Sequence, residues 1–151
     1  MTYPILRLDI PAGTILIECY PHLAPKHVEQ ILNFANTGIY DGTVFHRVIE
    51  GFMAQGGWTH QQLPTLEAEF NAHPHLEGVC SMARTPDPNS ASEQFFICFQ
   101  PSHFLDGQYT VWGKVIYGMH LVHSGIAKGE PPAEPTQILR MRQIDLDKAI
   151  A

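Results

Sequence analysis

The chain has 151 residues, of which 44% are hydrophobic and 16% charged, and nine basic against fifteen acidic side chains leave a net charge of −6. That is the size and balance of one globular domain with a single core, and it excludes a disordered chain. An acidic chain without clustered Lys or Arg is poorly suited to phosphate backbones and anionic bilayers, so neither nucleic acid nor a membrane is expected as a partner.

Cys19, Cys80 and Cys98 form an odd set with no disulfide framework. The opening Met1-Thr2-Tyr3-Pro4 carries no basic region followed by an apolar stretch. No run approaches the ~18 apolar residues of a spanning helix. A cytoplasmic location and a single domain over residues 1–151 are the expectation.

Ile5 to Ile10 alternates, with Leu6, Leu8 and Ile10 on one face and Arg7 and Asp9 on the other. Pro11-Ala12-Gly13 is a turn, and Thr14 to Tyr20 alternates again through Ile15, Ile17 and Cys19. Two such runs around a short Gly-containing turn predict a hairpin. The period then changes. Pro25 suits a first helical turn, and Val28, Ile31, Leu32 and Ala35 form one apolar stripe before Gly38, which can end the helix.

Short β-like runs follow at Val44–Ile49, Val79–Ala83, Phe95–Phe99 and Thr110–Ile116. His120 to Ile126 predicts a second short helix, and Gln137 to Leu146 a closing strand. Gly129-Glu130-Pro131-Pro132-Ala133-Glu134-Pro135 reads as a stiff surface connector. Many short strands with two helices predict a closed antiparallel β-barrel with helices over its ends; periodicity alone fits a β-sandwich equally.

The most specific stretch is Phe45-His46-Arg47-Val48-Ile49-Glu50-Gly51-Phe52-Met53-Ala54-Gln55-Gly56-Gly57. A second block is Gln94-Phe95-Phe96-Ile97, and a third is Phe104-Leu105-Asp106-Gly107 followed by Val111-Trp112-Gly113-Lys114-Val115. Taken singly, Arg47 is an ordinary surface arginine, and Phe52, Met53, Phe95 and Phe96 are ordinary core. In this order and spacing the three blocks resemble the cyclophilin family, and the resemblance extends from about Ile5 to Leu146.

The resemblance implies a mainly β fold, a closed eight-stranded antiparallel barrel capped by two α-helices. It also implies peptidyl-prolyl cis-trans isomerase activity on proline-containing peptides and on unfolded or folded client proteins, assisting protein folding. By position, Arg47 would be catalytic, and Phe52, Met53, Gln55, Phe96, Phe104, Leu105 and Tyr109 would line the site. Ala83 and Gln94 would help hold the substrate backbone, whereas Phe95, alternating with Phe96, belongs to the core.

The residue types suit the chemistry. A peptide bond resists rotation by ~18–20 kcal/mol because of resonance. Rotation breaks no bond, so no nucleophile, metal or cofactor is required. A permanently charged guanidinium aimed at the amide nitrogen favours the twisted, pyramidal state over the planar one. A monomer is expected. The readings set against this one are a proline-peptide docking module without turnover and a scaffold domain. A metal site at His73, His75 and Cys80 lacks well-defined ligand spacing. Cys80 and Cys98 read as buried thiols, and Ser81, Ser90 and Ser92 lie in no nucleophile elbow.

Several positions depart from the common family pattern. Phe104 replaces a frequent Trp, so cyclosporin binding is expected to be weak; Tyr109 replaces His and Arg84 replaces Asn, as in bacterial members. The glycine-rich loop expected after Gly57 is shortened to Trp58-Thr59-His60-Gln61-Gln62-Leu63-Pro64. Glu93 stands where a small residue is common, at the expected entrance to the pocket for residues upstream of proline. A carboxylate there would favour Lys or Arg in the substrate.

Overall fold

The computed structural model describes residues 3–145. The reading of the N-terminal segment, the end of the closing strand at Leu146 and the extent of the domain to residue 151 involve positions outside the described residues.

β1 (Ile5–Ile10) and β2 (Gly13–Cys19) form the expected hairpin, in register from Ile5↔Glu18 to Ile10↔Gly13. Leu6, Leu8, Ile15 and Ile17 are fully buried while Arg7 is exposed, so the period-2 pattern separates core from solvent. The helix α1 (Pro25–Asn36) buries Val28, Ile31, Phe34 and Ala35, with Leu32 packed at its margin. Its start lacks a side-chain cap of its own. Glu69 supplies one from a distant loop, accepting the His27 N–H at 2.9 Å and the Lys26 N–H at 3.2 Å. Its end is a Schellman motif: the Gly38 N–H bonds the Ala35 carbonyl, and the Ile39 N–H bonds the Phe34 carbonyl. Gly38 takes φ 82°, a conformation that glycine adopts without strain.

The chain continues through β3 (Phe45–Ile49), β4 (Met53–Gly56), β5 (Val79–Met82), β6 (Phe95–Cys98), β7 (Val111–Tyr117), α2 (Met119–Ser124) and β8 (Arg140–Ile144). The eight strands form one antiparallel sheet in the order β3-β4-β6-β5-β7-β2-β1-β8. α1 packs against β8, and α2 against β2. The expected mainly β, eight-stranded architecture with two helices is therefore present. Its closure is looser than a continuous barrel, because β3 and β8 do not pair as strands. The segments preceding them meet instead, through the Val44↔Gln137 bridge and hydrogen bonds from Phe45 N–H to Thr136 and from Ile138 N–H to Thr43.

Inside the sheet, the ring of Phe95 lies edge-on to Tyr40, Phe45 and Trp112, with centroids 5.7, 6.2 and 6.0 Å away. The favoured T-shaped geometry adds to the area that these rings bury. Gly57 at φ 86° permits this packing: a Cβ there would lie 3.0 Å from both Phe95 and Tyr40.

Candidate active site

The candidate site lies on the face of β3, β4 and β6 opposite this core. Cross-strand register assembles it. Arg47 in β3 pairs with Gln55 in β4, and Gln55 pairs with Phe96 in β6, so the three form a row across the sheet. Met53 lies two residues from Gln55 on the same face. Arg47 Nη1–H donates to Gln55 Oε1 at 3.3 Å, and Gln55 Nε2–H donates to Gln94 Oε1 at 3.0 Å.

Met53, Phe96, Cys98 and Leu105 make a small apolar cluster separate from the main core, with Phe52, Ala83 and Tyr109 packed around it. Tyr109 meets Phe96 edge-on at 5.8 Å. Met53, Phe96, Leu105, Phe52, Ala83 and Tyr109 line a cavity of about 480 Å³ together with Arg47, Gln55 and Phe104, while Cys98 stays buried behind it. Phe104 is 67% exposed and tilts towards Phe52, with ring centroids 5.4 Å apart.

The wall that carries Phe104 and Leu105, a 3₁₀ turn at His103–Leu105, is tied down from beneath. Asp106 accepts the His75 N–H at 2.7 Å and bonds Nδ1 of both His75 and His103 at 2.9 Å. Burial alone would raise the Asp106 carboxyl, but these bonds outweigh it and hold the pKa at about 2. His75 Nε2 meets Ser81 Oγ at 2.9 Å, and the imidazole stacks under Phe96 with centroids 6.2 Å apart. Burial lowers the His75 pKa despite the Asp106 bond, so the ring is neutral near pH 7. Ser81, His75 and Asp106 thus have the contact order of a hydrolytic triad, yet Ser81 and His75 are both 0% exposed and no substrate can reach the hydroxyl.

Nine of the ten expected site residues line the main cavity: Arg47, Phe52, Met53, Gln55, Ala83, Phe96, Phe104, Leu105 and Tyr109. Gln94 lines a second cavity of about 190 Å³ instead, shared with Gln55 and Ala83. Of three further neighbours, Gln108 and Glu130 are not anticipated by the sequence, whereas Arg84 stands out there as a departure from the family pattern. Gln108 lies in the gap between the two parts of the third block, next to Tyr109, and that position is the available signal. Arg84 lines both cavities. Glu130, in the segment read as a surface connector, reaches Arg47, with Oε1 3.2 Å from Nε.

Glu93 corrects a specific expectation. It does not face the upstream pocket; it is 2% exposed and turned inward. Its Oε2 accepts the Thr59 N–H at 3.1 Å and the Thr59 hydroxyl at 2.6 Å, and the Ser92 hydroxyl donates to Oε1. The carboxylate organises the shortened loop after Gly57, where a buried charge finds the donors it needs. The three thiols are buried, and burial pushes Cys19 and Cys98 up to about 12 and also raises Cys80 well above its ordinary value. His73 Nδ1 bonds the Pro74 carbonyl at 2.9 Å, and among the described residues no group of three or more His, Cys, Asp or Glu is gathered for a metal ion.

Comparison with known proteins agrees with this architecture. Residues 5–143 match the family model described as cyclophilin type peptidyl-prolyl cis-trans isomerase/CLD. A probable peptidyl-prolyl cis-trans isomerase of Brucella abortus is 44% identical over 139 residues, covering 81% of this chain and 70% of that protein. A peptidyl-prolyl cis-trans isomerase of Synechococcus elongatus is 39% identical over 122 residues, covering 76% and 80%. The crystal structure of a cyclophilin from Hirschia baltica superposes with a TM-score of 0.86 at 32% identity, covering 91% of this chain and 72% of that one. A Cryptosporidium parvum cyclophilin, solved in the presence of the dipeptide Ala-Pro, superposes with a TM-score of 0.84 over 93% of this chain and 99% of its own; at 24% identity it speaks to the fold alone. In motif, fold and overall likeness, this chain belongs to the cyclophilin-type peptidyl-prolyl cis-trans isomerase family.

Proposed function

We propose that this chain catalyses rotation about X-Pro peptide bonds, with the proline ring seated in the apolar cavity and Arg47 donating to the amide nitrogen. The observation that carries this reading is the Arg47 guanidinium, held by Gln55 and Glu130, beside a cavity lined by Phe96, Met53 and Leu105. The apolar floor holds the ring still while the preceding carbonyl swings. The nitrogen gains a free lone pair only when the bond twists, so a donor aimed there binds the twisted state more tightly than either planar isomer. A 10⁵-fold acceleration requires about 7 kcal/mol. Preorganised electrostatics and positioning together are of that order.

Gln55 and Glu130 hold the guanidinium on two sides. Gln55, Ala83 and Gln94 hold the substrate backbone beside the ring. The reaction uses no cofactor. The clients are proline-containing segments of unfolded or folded proteins, and the role is assistance to folding, in the cytoplasm, by a monomeric single domain. Cyclosporin binds weakly, because Phe104 offers an apolar wall without an N–H donor.

The test is isomerisation of a short X-Pro peptide, followed by a protease that cleaves only the trans form or by exchange NMR. Acceleration by catalytic amounts of the chain is expected. Saturable peptide binding without acceleration would replace this reading with that of a docking module.

A further inference from the structure

The charge around the candidate site differs in sign from that of the whole chain. The net charge is −6, yet the charged side chains that line the main cavity are Arg47 and Arg84, and the second cavity has Arg84 alone. The two arginines are held differently. Arg47 is paired with the Glu130 carboxylate at 3.2 Å. Arg84 is fixed by neutral acceptors: Nε and Nη2 donate to the Gln108 carbonyl at 3.1 and 2.8 Å, and Nη1 donates to the Thr85 carbonyl at 2.9 Å and, more weakly, to that of Pro86 at 3.4 Å. Its guanidinium lies 4.6 Å from the centroid of the Tyr109 ring. Among the described residues it makes no ion pair, so its charge is ordered and not offset by a carboxylate.

The other polar side chains of the second cavity carry no charge: Gln55 and Gln94 are neutral amides, and the three hydroxyls are engaged elsewhere. The Thr85 hydroxyl donates to Ser90, the Ser90 hydroxyl to the Asp87 carbonyl, and the Ser92 hydroxyl to Glu93. Glu93 is turned inward to Thr59. Asp87, the acid of the same loop, accepts the Asn89 N–H and lines neither cavity.

We propose that the second cavity is an anion-accepting subsite in which Arg84 draws an acidic side chain upstream of the substrate proline. The direction of the chain rests on the isomerase reading. Arg47 faces the proline nitrogen, and the preceding residue is bonded to that nitrogen. Gln55, hydrogen-bonded to Arg47, lines both cavities, so the chain leaves the proline past Gln55 towards Arg84. The preferred substrates then carry Asp or Glu before the X-Pro bond, the reverse of what a carboxylate at position 93 facing the pocket would select. An attraction between partly exposed charges of this kind gives a preference of about two- to fivefold at low salt. It fades at 1 M salt, where the Debye length falls to ~3 Å.

The experiment uses end-blocked alanine-background peptides with Glu, Gln or Lys at each of the three positions before proline. Both kcat/KM and calorimetric affinity are measured, at low and at 1 M salt. Wild type is expected to favour Glu over Gln over Lys at one or more of these positions. Arg84→Lys should keep that order, Arg84→Gln should level it, and Arg84→Glu should invert it. Equal values for Glu and Lys peptides at all three positions, or a preference that survives in Arg84→Gln, would overturn the subsite. If the peptides bind with the Glu preference but none is isomerised, the catalytic reading fails and the subsite stands.

Discussion

Phe95 and Phe96 are adjacent in one strand, and their surroundings differ completely. Phe95 is 0% exposed and meets three aromatic rings inside the sheet. Phe96, 5% exposed, belongs to a small cluster that opens onto the candidate site, with Tyr109 at its edge and His75 behind it. Period-2 geometry alone makes the difference. One strand thus serves stability with one residue and the site with the next, and a register slip of one residue would exchange them.

This contrast can be broken most forcefully by alanine substitution. Phe95→Ala leaves a cavity among rings that cannot collapse, and a loss of about 3–5 kcal/mol in denaturant unfolding is expected. Phe96→Ala should cost roughly half of that or less, because the residue already borders open space. Its kcat/KM for an X-Pro peptide should fall by at least about tenfold, the scale of a lost apolar contact of ~1.4 kcal/mol or more in the transition state. Equal stability losses with unchanged activity in Phe96→Ala would erase the distinction between the two faces.

A second prediction concerns the support behind Phe96. Burial holds the His75 pKa below its ordinary value of 6.5, so the unfolded chain takes up this proton more readily than the folded one. The stability contributed by His75 is therefore fully present above about pH 6.5 and declines as the pH falls below it. Asp106 stays ionised down to about 2 and adds no comparable slope in that window. Thermal melts from pH 7.5 to 5 should show Tm falling, and His75→Gln should lower Tm at pH 7.5 while flattening the slope. An unchanged slope in the variant would assign the titration to another group, with His46, also lowered by burial, the next to examine.

The smallest expected effect lies at the exposed wall. Phe104→Trp adds an indole N–H, and one hydrogen bond contributes roughly 0.5–1.5 kcal/mol net. Cyclosporin inhibition should tighten several-fold, with little change in turnover of a short peptide. No change in inhibition would mean that the missing N–H at position 104 does not limit cyclosporin binding.

The parts of the molecule legible in the sequence are those set by local periodicity or by closely spaced residues. The β1–β2 hairpin and α1 alternate or recur cleanly, and the stretch from Phe45 to Gly57 contains Arg47, Phe52, Met53 and Gln55, which two paired strands bring together. β4 was less legible as a strand, because Met53-Ala54-Gln55-Gly56 has no apolar alternation and owes its conformation to β3 and β6 on either side. The contacts that local pattern leaves out join distant positions. Arg47 and Glu130 are 83 residues apart, His75 and Asp106 31, and Thr59 and Glu93 34. Glu93 is the clearest case. Its place in the chain, next to Gln94, pointed to the pocket, but side chains alternate across a strand and its approach, so the neighbour of an outward-facing residue turns inward.

In the proposed mechanism Arg47 lowers the rotational barrier and does more than fill space. Its most direct test is kcat/KM for one neutral X-Pro peptide with wild type and Arg47→Ala, alongside Tm for both. The side chain is 46% exposed and outside the core, so Tm should hold, while kcat/KM should fall by about 10²–10³, the loss typical of one transition-state donor. Activity within a factor of two of wild type, at unchanged Tm, would rule out that role for Arg47.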